Sequence, residues 1–331
     1  RITRWAAMAI KAKIYLFEGN WTQVKNITST IMTEGGFKLF ESYAGLFEIA
    51  NEYNSEVILD AQYRPTSREH QMMYVFLPPT LGGYSQLSPL QELVDSYIML
   101  DGKTIKETGT SFDESHPYAN RDPRLKATVM YTGNSYTLAD GTEVVINCEK
   151  GEGKDGYGVG SDCSATGYYI KKYWDNTYRA TLYSGLNPIL IRYADILLMN
   201  AEALAELGEL DKTAWDATIK PIRDRAGFTL ASALEFPEGA SKDKLIEIVR
   251  NERRSELALE GHRHKDIIRW RIADNVLNGW CHGLKTNDVV GTDDGYVRVE
   301  NRTFNANRHY LWPIPQAERD LNTFRDRKSV V

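Results

Sequence analysis

Apolar residues recur at helical spacing near the start of the chain. They repeat over residues 4–18 and again over residues 21–34, and Gly19 and Gly35 follow the two stretches. Apolar side chains three or four positions apart share one face of a helix, and glycine commonly ends a helix. The pattern therefore predicts two helices joined by a very short turn, a helical hairpin over about residues 1–35.

A second hairpin is predicted far downstream. Residues 189–207 are apolar enough for one long helix that ends at Gly208, and a partner helix follows over about residues 211–225. The two hairpins repeat one spacing of a small residue, a large residue and a glycine: Ala12, Tyr15 and Gly19, then Ala201, Leu204 and Gly208. This spacing is typical of tetratricopeptide-like hairpins.

The second helical region continues to about residue 273. Ser241 is a suitable N-cap for a helix that runs to about Leu259. Gly261 ends that helix, and a further helix is predicted over residues 265–273. Helical hairpins are thus expected over about residues 1–35 and 189–273.

The long insertion between the hairpins, about residues 36–187, has few periodic stretches. A strand is predicted at residues 56–59 and a helix at residues 92–99, while glycine and proline interrupt the rest. The glycine-dense stretch 150–167 lacks the Lys-Ser/Thr that follows a phosphate-binding loop, so it is predicted to be a surface loop. The fold class expected is mainly α: an alpha-alpha superhelix of tetratricopeptide-like helical hairpins, with an irregular loop-rich binding lobe and few short strands.

Composition narrows the function classes. Hydrophobic residues make up 42% of the 331 residues and the net charge is −5, so a large core is expected and a nucleic-acid partner, which requires a basic face, is not. No apolar run reaches the roughly 18 residues of a membrane span. Three cysteines, Cys148, Cys163 and Cys281, provide no disulfide framework. The 19 Tyr and 7 Trp are numerous, and many fall in predicted loops, where such rings suit sugars or protein partners.

Both chain ends look altered. Arg1 already lies inside an amphipathic pattern and no signal peptide precedes it, so a missing N-terminal portion is expected. Residues 326–331 match the translation of a common sequencing adapter and are predicted to be a non-native tail. Residues 1–325 are then expected to form the native domain.

Charged residues concentrate after residue 250. Glu252, Glu256 and Glu260 follow one another at intervals of four, with Arg253 and Arg254 beside them. Two of these carboxylates could serve as an acid/base pair, but so many nearby arginines should keep them ionised. An ion-pair network between helices is therefore the favoured interpretation. Its predicted members are Arg192, Asp195, Arg223, Glu252, Arg254, Glu256, Glu260, Arg263 and Asp266, with Arg192 and Arg223 as candidate partners of the buried Asp195.

Several sequence blocks, taken in order, resemble the SusD/RagB family. One of them contains the Asp122-Pro123 turn, which is interpreted as a stop, with Arg121 and Arg124 holding the adjacent loops in place. The full set is residues 54–58, 120–125, 191–203, 223–227, 251–263 with 265–270, and 311–315. The family's Asn-Pro-rich close is missing after Asn322.

The resemblance implies a surface lipoprotein of the outer membrane of Bacteroidetes-type bacteria. Such proteins cap a SusC-like TonB-dependent transporter and deliver oligosaccharides, or in some branches peptides, without catalysis and without a cofactor. The lipid-bearing cysteine would lie in the missing N-terminal portion. Two other classes stay open: a helical-toroid glycosidase or lyase, and a peptide-binding tetratricopeptide-type adaptor.

The ligand site is predicted from aromatic residues in loops. As a strand, residues 173–178 would place Trp174, Asn176 and Tyr178 on one face, two rings around an amide; as a helix, Trp174 and Tyr178 would share a face. Tyr183 and Tyr84 are further candidates. The opposing interpretation places Tyr173 and Trp174 in the core, under the helix that begins near Ile189.

Neither the His262-Arg263-His264 stretch nor the Asp-rich stretch 287–295 has the ligand spacing of a metal site, so no metal site and no catalytic residue is predicted.

Overall fold

The computed structural model describes residues 2–177 and 182–321. Its α-helices are, in chain order, α1 (Arg4–Glu18), α2 (Trp21–Glu34), α3 (Met72–Phe76), α4 (Gln91–Ser96), α5 (Pro123–Thr128), α6 (Tyr193–Leu207), α7 (Lys212–Ala226), α8 (Ala231–Leu234), α9 (Lys242–Glu256), α10 (Arg263–Arg269), α11 (Ala273–Val276) and α12 (Gln316–Leu321). Its strands are β1 (Val57–Asp60), β2 (Val129–Met130), β3 (Ser135–Thr137), β4 (Glu143–Val145), β5 (Tyr169–Ile170), β6 (Ile189–Arg192), β7 (Gly279–Lys285), β8 (Thr292–Asp293) and β9 (Tyr296–Arg302). The expected class, mainly α with few short strands, is confirmed. The tail at residues 326–331 lies outside the described residues.

Both predicted hairpins turn through a glycine in the left-handed backbone region. Gly19 follows α1 with a φ of 71°, and Gly208 follows α6 with a φ of 74°. In each turn the N–H of the next residue donates to a helix carbonyl five positions back, that of Tyr15 at 2.9 Å and that of Leu204 at 2.8 Å. Glycine adopts this conformation at little cost. The predicted equivalence of the two turns is confirmed.

Helix α6 lies at the centre of the helical part of the molecule. It packs against α1, α2, α7 and α9, and 12 of its 15 residues are buried. A helix enclosed on nearly every side must be apolar nearly all round, which explains its run of leucine, isoleucine, methionine and alanine. We call α1, α2, α6, α7 and α9 the helical frame.

The predicted helix over residues 189–207 is wrong at its start. Ile189–Arg192 form β6, which pairs antiparallel with β1, and the helix begins only at Tyr193. The β-branched residues Ile189 and Ile191 favour a strand, and pairing with β1 satisfies the backbone groups of both. The predicted strand at residues 56–59 is confirmed, shifted by one residue.

The two helices predicted between Ser241 and residue 273 differ from the prediction. Helix α9 begins after the Ser241 cap as expected, yet it ends at Glu256, and Leu259 has a φ of 63°. Glu260 therefore lies in a turn and not on the helix face of Glu252 and Glu256. The predicted helix at residues 265–273 is two short helices, α10 and α11, because the backbone enters the left-handed region at Arg271 (φ 56°).

The loop-rich lobe lies between β1 and β6. Its strand pairs are short, β2 with β5 and β3 with β4, so side chains rather than a sheet supply most of its core. Tyr136, Tyr168 and Tyr169 are buried in that core, and each hydroxyl donates a hydrogen bond. Buried tyrosines need such partners, and the loops provide them.

The Asp122-Pro123 segment begins a helix instead of stopping one. The Asp122 carboxylate accepts the backbone N–H of Arg124 at 2.9 Å, and Pro123 occupies the first turn of α5. Aspartate at the cap followed by proline suits a helix start because proline lacks an N–H that would remain unpaired there. The interpretation of this segment as a stop is wrong.

The C-terminal part, predicted to be loop-rich, contains a three-stranded sheet in the order β7–β9–β8. Its edge strand β7 lies against the lobe: Leu284 donates its N–H to the carbonyl of Thr166 at 2.7 Å. At Gly283, a Cβ would meet that same carbonyl oxygen at 2.5 Å, so only glycine permits this approach.

Candidate functional site

Buried ion pairs join the helical frame to the lobe. Glu256, at the end of α9, contacts Arg192 at 2.6 Å and Arg124 at 2.8 Å, and it also pairs with Arg225. Arg192 further contacts Glu56 at 2.7 Å, beside β1. These side chains are almost completely buried, so each charge depends on its neighbours for the stabilisation that water would otherwise give.

Glu260 extends this network from the turn after α9. It contacts Arg192 and Lys172, each at 2.7 Å. Burial alone would raise the pKa of Glu260, but the cations of Arg192 and Lys172 lower it to about 2. The pKa of Glu256 is likewise well below its ordinary value, because Arg225, Arg192 and Arg124 outweigh the effect of burial. Both carboxylates are thus ionised at neutral pH.

Asp195 has partners other than those predicted. It contacts Arg253 at 2.6 Å and Lys13 at 2.8 Å, whereas Arg192 and Arg223 pair elsewhere. Arg223 contacts Glu252 at 2.7 Å. The correction has a geometric reason: Asp195 lies in the first turn of α6, where α1 brings Lys13 and α9 brings Arg253 into contact with it.

The remaining predicted network members divide into two groups. Asp266 contacts both Arg253 and Arg269 at 2.9 Å. Arg254 and Arg263 make no ion pair with a carboxylate of the described residues; Arg254 donates to the carbonyl of Glu92, and Arg263 lies over the ring of Trp270.

The sequence prediction missed several further members: Lys13, Glu56, Asp122, Arg124, Lys172, Glu202, Arg225, Arg253 and Arg269. Most are far from their partners along the chain, so spacing carries no signal for them.

The predicted ligand residues around Trp174 are not on a strand or a helix. Tyr173 has a φ of 63° and is buried against Phe47, and its hydroxyl accepts the N–H of Ile189. Trp174 is half-buried; its ring meets Tyr136 and its indole N–H donates to Thr137. The interpretation of these two rings as core matches this geometry. Tyr178 lies outside the described residues.

Asn176 and Tyr183 lie near one another. Residue 176 is half-buried in a turn, and the carboxylate of Asp175 beside it accepts the hydroxyl of Ser184. Tyr183, the neighbour of Ser184, is 44% exposed. A single hydrogen bond therefore brings the two predicted segments together.

Tyr183 belongs to a larger exposed surface. Ser184 and His70 exchange backbone hydrogen bonds of 2.9 and 3.0 Å, and the His70 ring meets that of Tyr63 edge to face at 4.7 Å. Asn187 accepts the N–H of Tyr63 and donates to the hydroxyl of Tyr53, which is 66% exposed. Asn187 thus links Tyr53 to Tyr63, and His70 links Tyr63 to the segment that carries Tyr183.

Tyr84 adds an exposed ring from another loop of the lobe. Its ring stacks on Tyr74 with centroids 4.2 Å apart, and it is 40% exposed. We call the tyrosines of these lobe segments, Tyr53, Tyr63, Tyr74, Tyr84 and Tyr183, the tyrosine surface. Of the members outside the prediction, Tyr53 and Tyr63 had one sequence signal, a stretch rich in turn residues, whereas Tyr74 lies in α3 and had none.

A cavity of about 310 Å³ lies between α4, the end of α9, α10, α11 and β7. Leu93, Leu257, Ile267 and Trp280 are among its apolar lining residues. The Arg254 and Arg263 side chains, which pair with no carboxylate in the described part of the chain, border it as well. The sequence analysis did not predict this cavity because its walls come from five separate elements.

Two searches over the described ranges were negative. Within residues 2–177 and 182–321, no group of three or more His, Cys, Asp or Glu is placed to hold a metal ion. In the same ranges, no helix is both long and apolar enough to cross a membrane.

Comparison with known proteins assigns the chain to a protein family. The model of the SusD family matches residues 45–325. The chain belongs to the SusD family. A SusD-like carbohydrate-binding protein of Bacteroides fragilis has a crystal structure that superimposes with a TM-score of 0.85 at 30% identity, covering 98% of this chain and 64% of that one.

Curated sequence relatives are also named SusD-like proteins. SusD-like protein P25 of Formosa agariphila is 28% identical over 301 residues, which cover 84% of this chain and 51% of the relative. A SusD-like protein of Bacteroides ovatus is 24% identical over 320 residues, or 89% of this chain and 52% of the relative. The chain therefore spans about half the length of these curated relatives.

Proposed function

We propose that this chain is part of a cell-surface protein that binds oligosaccharides and delivers them, without catalysis, to a SusC-like TonB-dependent transporter. The observation that carries the proposal is the tyrosine surface on a member of the SusD family. A relative of similar fold is named as carbohydrate-binding. Flat aromatic rings complement the C–H faces of sugars, and loops held on a rigid frame can present them.

The polar groups of the tyrosine surface suit a sugar as well. Asn187 lies between Tyr53 and Tyr63, and His70 and Asn176 are close to Tyr183. Amide and imidazole groups donate and accept hydrogen bonds, which is what sugar hydroxyls require. Rings for stacking and a few amides for orientation are the usual composition of a small-molecule site.

A helical-toroid glycosidase or lyase is the competing hypothesis. Glycoside hydrolysis requires a carboxyl group with a raised pKa beside the sugar. Burial raises the pKa of Glu48 and of Glu52, and both border a cleft next to Tyr53. That cleft holds only about 10 Å³, room for about one water molecule. A sugar ring cannot enter it, which favours binding over hydrolysis.

A peptide-binding adaptor is the third hypothesis. It would need a groove of unpaired cationic and amide side chains on the helical frame. Arg192, Arg223 and Arg225 instead pair with buried carboxylates inside the frame, so they are not available to a peptide. Localisation at the outer membrane through an N-terminal lipid anchor, like the delivery step, rests on family membership.

Binding to a panel of neutral oligosaccharides, measured by calorimetry, tests the proposal. The panel contains β-1,3-, β-1,4- and α-1,4-linked glucose and mannose oligomers of up to seven rings. At least one should bind, and Tyr84→Ala and Tyr183→Ala should each weaken that binding several-fold, since a stacked ring contributes on the order of 1 kcal/mol. Reducing sugar should not increase on prolonged incubation; its release would support the glycosidase instead.

A matched control separates the surface from the fold. Tyr310 is an aromatic residue on another part of the molecule, where its hydroxyl bonds to Asp274, so Tyr310→Ala should leave the affinity for the same oligosaccharide unchanged. If Tyr84→Ala and Tyr183→Ala bind as the unaltered protein does, the sugar site lies elsewhere.

A further inference from the structure

The cavity between α4, α10, α11 and β7 has apolar walls that stay accessible. Trp280, Val276 and Leu259 border it and are 43%, 40% and 39% exposed. Large hydrophobic side chains that share one concave surface mark a ligand or partner site more often than chance exposure does. At about 310 Å³ the cavity is at the small end of ligand pockets, which suits one or two sugar rings.

Most charged groups that border the cavity are already neutralised. Arg253 pairs with Asp195 and Asp266, and Arg302 pairs with Glu300 at 2.9 Å. The carboxylate of Glu92, the remaining acidic group of the lining, contacts His282 at 2.8 Å. Two further cationic groups of the lining form no ion pair within residues 2–177 and 182–321.

Those groups are Arg254 and Arg263. Neither forms an ion pair with a carboxylate in residues 2–177 and 182–321; Arg254 donates to the Glu92 carbonyl and Arg263 lies over the Trp270 ring. Burial, and then repulsion by Arg263, lowers the pKa of Arg254 to about 10, although attraction to Glu92 opposes this. Burial likewise lowers the pKa of Arg263, and attraction to Asp266 partly offsets it. An anion placed between them would relieve this repulsion.

The cavity also meets the loop that carries Tyr84. Ser88 borders the cavity, and its hydroxyl lies 3.2 Å from that of Ser85, the residue after Tyr84. Ser88 follows Tyr84 by four positions, so their Cα atoms are at most about 14 Å apart. That distance is within the length of a short oligosaccharide.

We propose that this cavity binds the carboxylate of a uronic acid residue, so that the protein binds acidic oligosaccharides more tightly than neutral ones. The proposal rests on the proposed function, since the tyrosine surface would hold the neighbouring rings. Guanidinium groups bind a carboxylate through paired hydrogen bonds, which ammonium groups cannot reproduce. The apolar wall at Trp280 faces the ring of the same sugar.

The experiment compares acidic trisaccharides with their own methyl esters. Trimers of galacturonate, glucuronate, mannuronate and guluronate are titrated into the protein, and each ester keeps the shape of its acid without the charge. At least one acid should bind about tenfold more tightly than its ester, the worth of one charge-assisted hydrogen bond. Arg263→Gln should remove that preference, so that each acid and its ester bind with similar affinity.

Control variants distinguish the two sites. Lys212→Gln removes one positive charge from an exposed side chain on α7, so the preference should persist in it. Tyr84→Ala should weaken acid and ester alike. Equal affinity of every acid and its ester, or a preference that survives in Arg263→Gln, overturns the cavity proposal. Absence of any acid binding overturns it too, whereas the neutral oligosaccharides test the tyrosine surface separately.

Discussion

The helical frame and the loop-rich lobe differ in whether they bury tyrosine. Both regions bury charged groups that make ion pairs, such as Glu256 in the frame and Arg124 and Lys172 in the lobe. The lobe also buries tyrosines such as Tyr136, whose hydroxyl donates to the carbonyl of Ile170 at 2.7 Å, whereas no tyrosine of the frame helices is buried. A hydroxyl can rotate to meet a nearby carbonyl, so tyrosine suits the irregular core of the lobe.

This difference determines where a ligand surface can form. In the frame, Arg223, Arg225 and Arg253 pair with buried carboxylates, so its interior offers little to a ligand. The lobe is built from tyrosine, and the same residue type that fills its core also appears on its exterior as Tyr84 and Tyr183. The predictions below separate the two regions by the size of the effect that each substitution has.

The largest effect is expected from Arg192→Ala in the frame. It would leave Glu56, Glu256 and Glu260 without the guanidinium that all three share. Removing one partner of a buried ion pair costs about 3–5 kcal/mol because the remaining charge stays buried. Urea unfolding gives the free energy. Lys212→Ala, which breaks an exposed pair with Asp216, is the control and should cost under about 1 kcal/mol; equal losses would contradict a special role for the network.

The second-largest loss of stability is expected at low pH. The pKa of Glu260 is about 2 in the folded protein and about 4.3 when unfolded, so the unfolded state binds the proton first as the pH falls. Stability on the order of 3 kcal/mol should be lost between about pH 5 and pH 2. Urea midpoints at pH 7, 5, 3 and 2 measure it. Glu260→Gln should show a shallower decline; an identical decline would assign the acid sensitivity to other groups.

A smaller loss is expected in the core of the lobe. Tyr136→Phe removes the hydroxyl that donates to the Ile170 carbonyl, and a lost buried hydrogen bond costs about 1–2 kcal/mol. Thermal unfolding followed by circular dichroism would detect it. Tyr183→Phe, at an exposed ring, should change the midpoint little. A comparable shift in both would mean that the Tyr136 bond contributes nothing.

The smallest change in stability is expected at the tyrosine surface. Tyr84→Ala removes an exposed ring that stacks on Tyr74, and surface substitutions usually alter stability by no more than about 0.5 kcal/mol. Unfolding and oligosaccharide binding should be measured on the same preparation. If Tyr84→Ala unfolds as readily as Tyr136→Phe, the ring serves the fold of the lobe and not a ligand.

Short-range signals in the sequence were sufficient for the helices and their turns. Gly19 and Gly208 end their helices in the same left-handed conformation, and Ser241 caps α9 as expected. Each depends on contacts within about five residues. The ranges 4–18 and 21–34 coincide with α1 and α2 for the same reason: helix periodicity and capping are local.

The conformation of residues 189–192 and the surroundings of Trp174 depended on contacts with distant residues. Residues 189–192 are apolar enough for helix or strand, and pairing with β1, more than a hundred residues earlier, made them a strand. Trp174 looked equally suited to a ligand surface, and its contact with Tyr136 placed it against the core. Local pattern cannot choose between such alternatives, because the deciding contacts come from other parts of the chain.

The sequence by itself determined the hairpins, the fold class and the concentration of charge after residue 250. Only the tertiary structure decided that Asp195 meets Lys13 and Arg253, that Glu260 leaves the helix face of Glu256, and that Arg254 and Arg263 face a cavity without a carboxylate partner in residues 2–177 and 182–321. The physical reason is distance along the chain: ion pairs, stacked rings and cavities arise where separate elements pack, and no spacing rule connects residues that far apart.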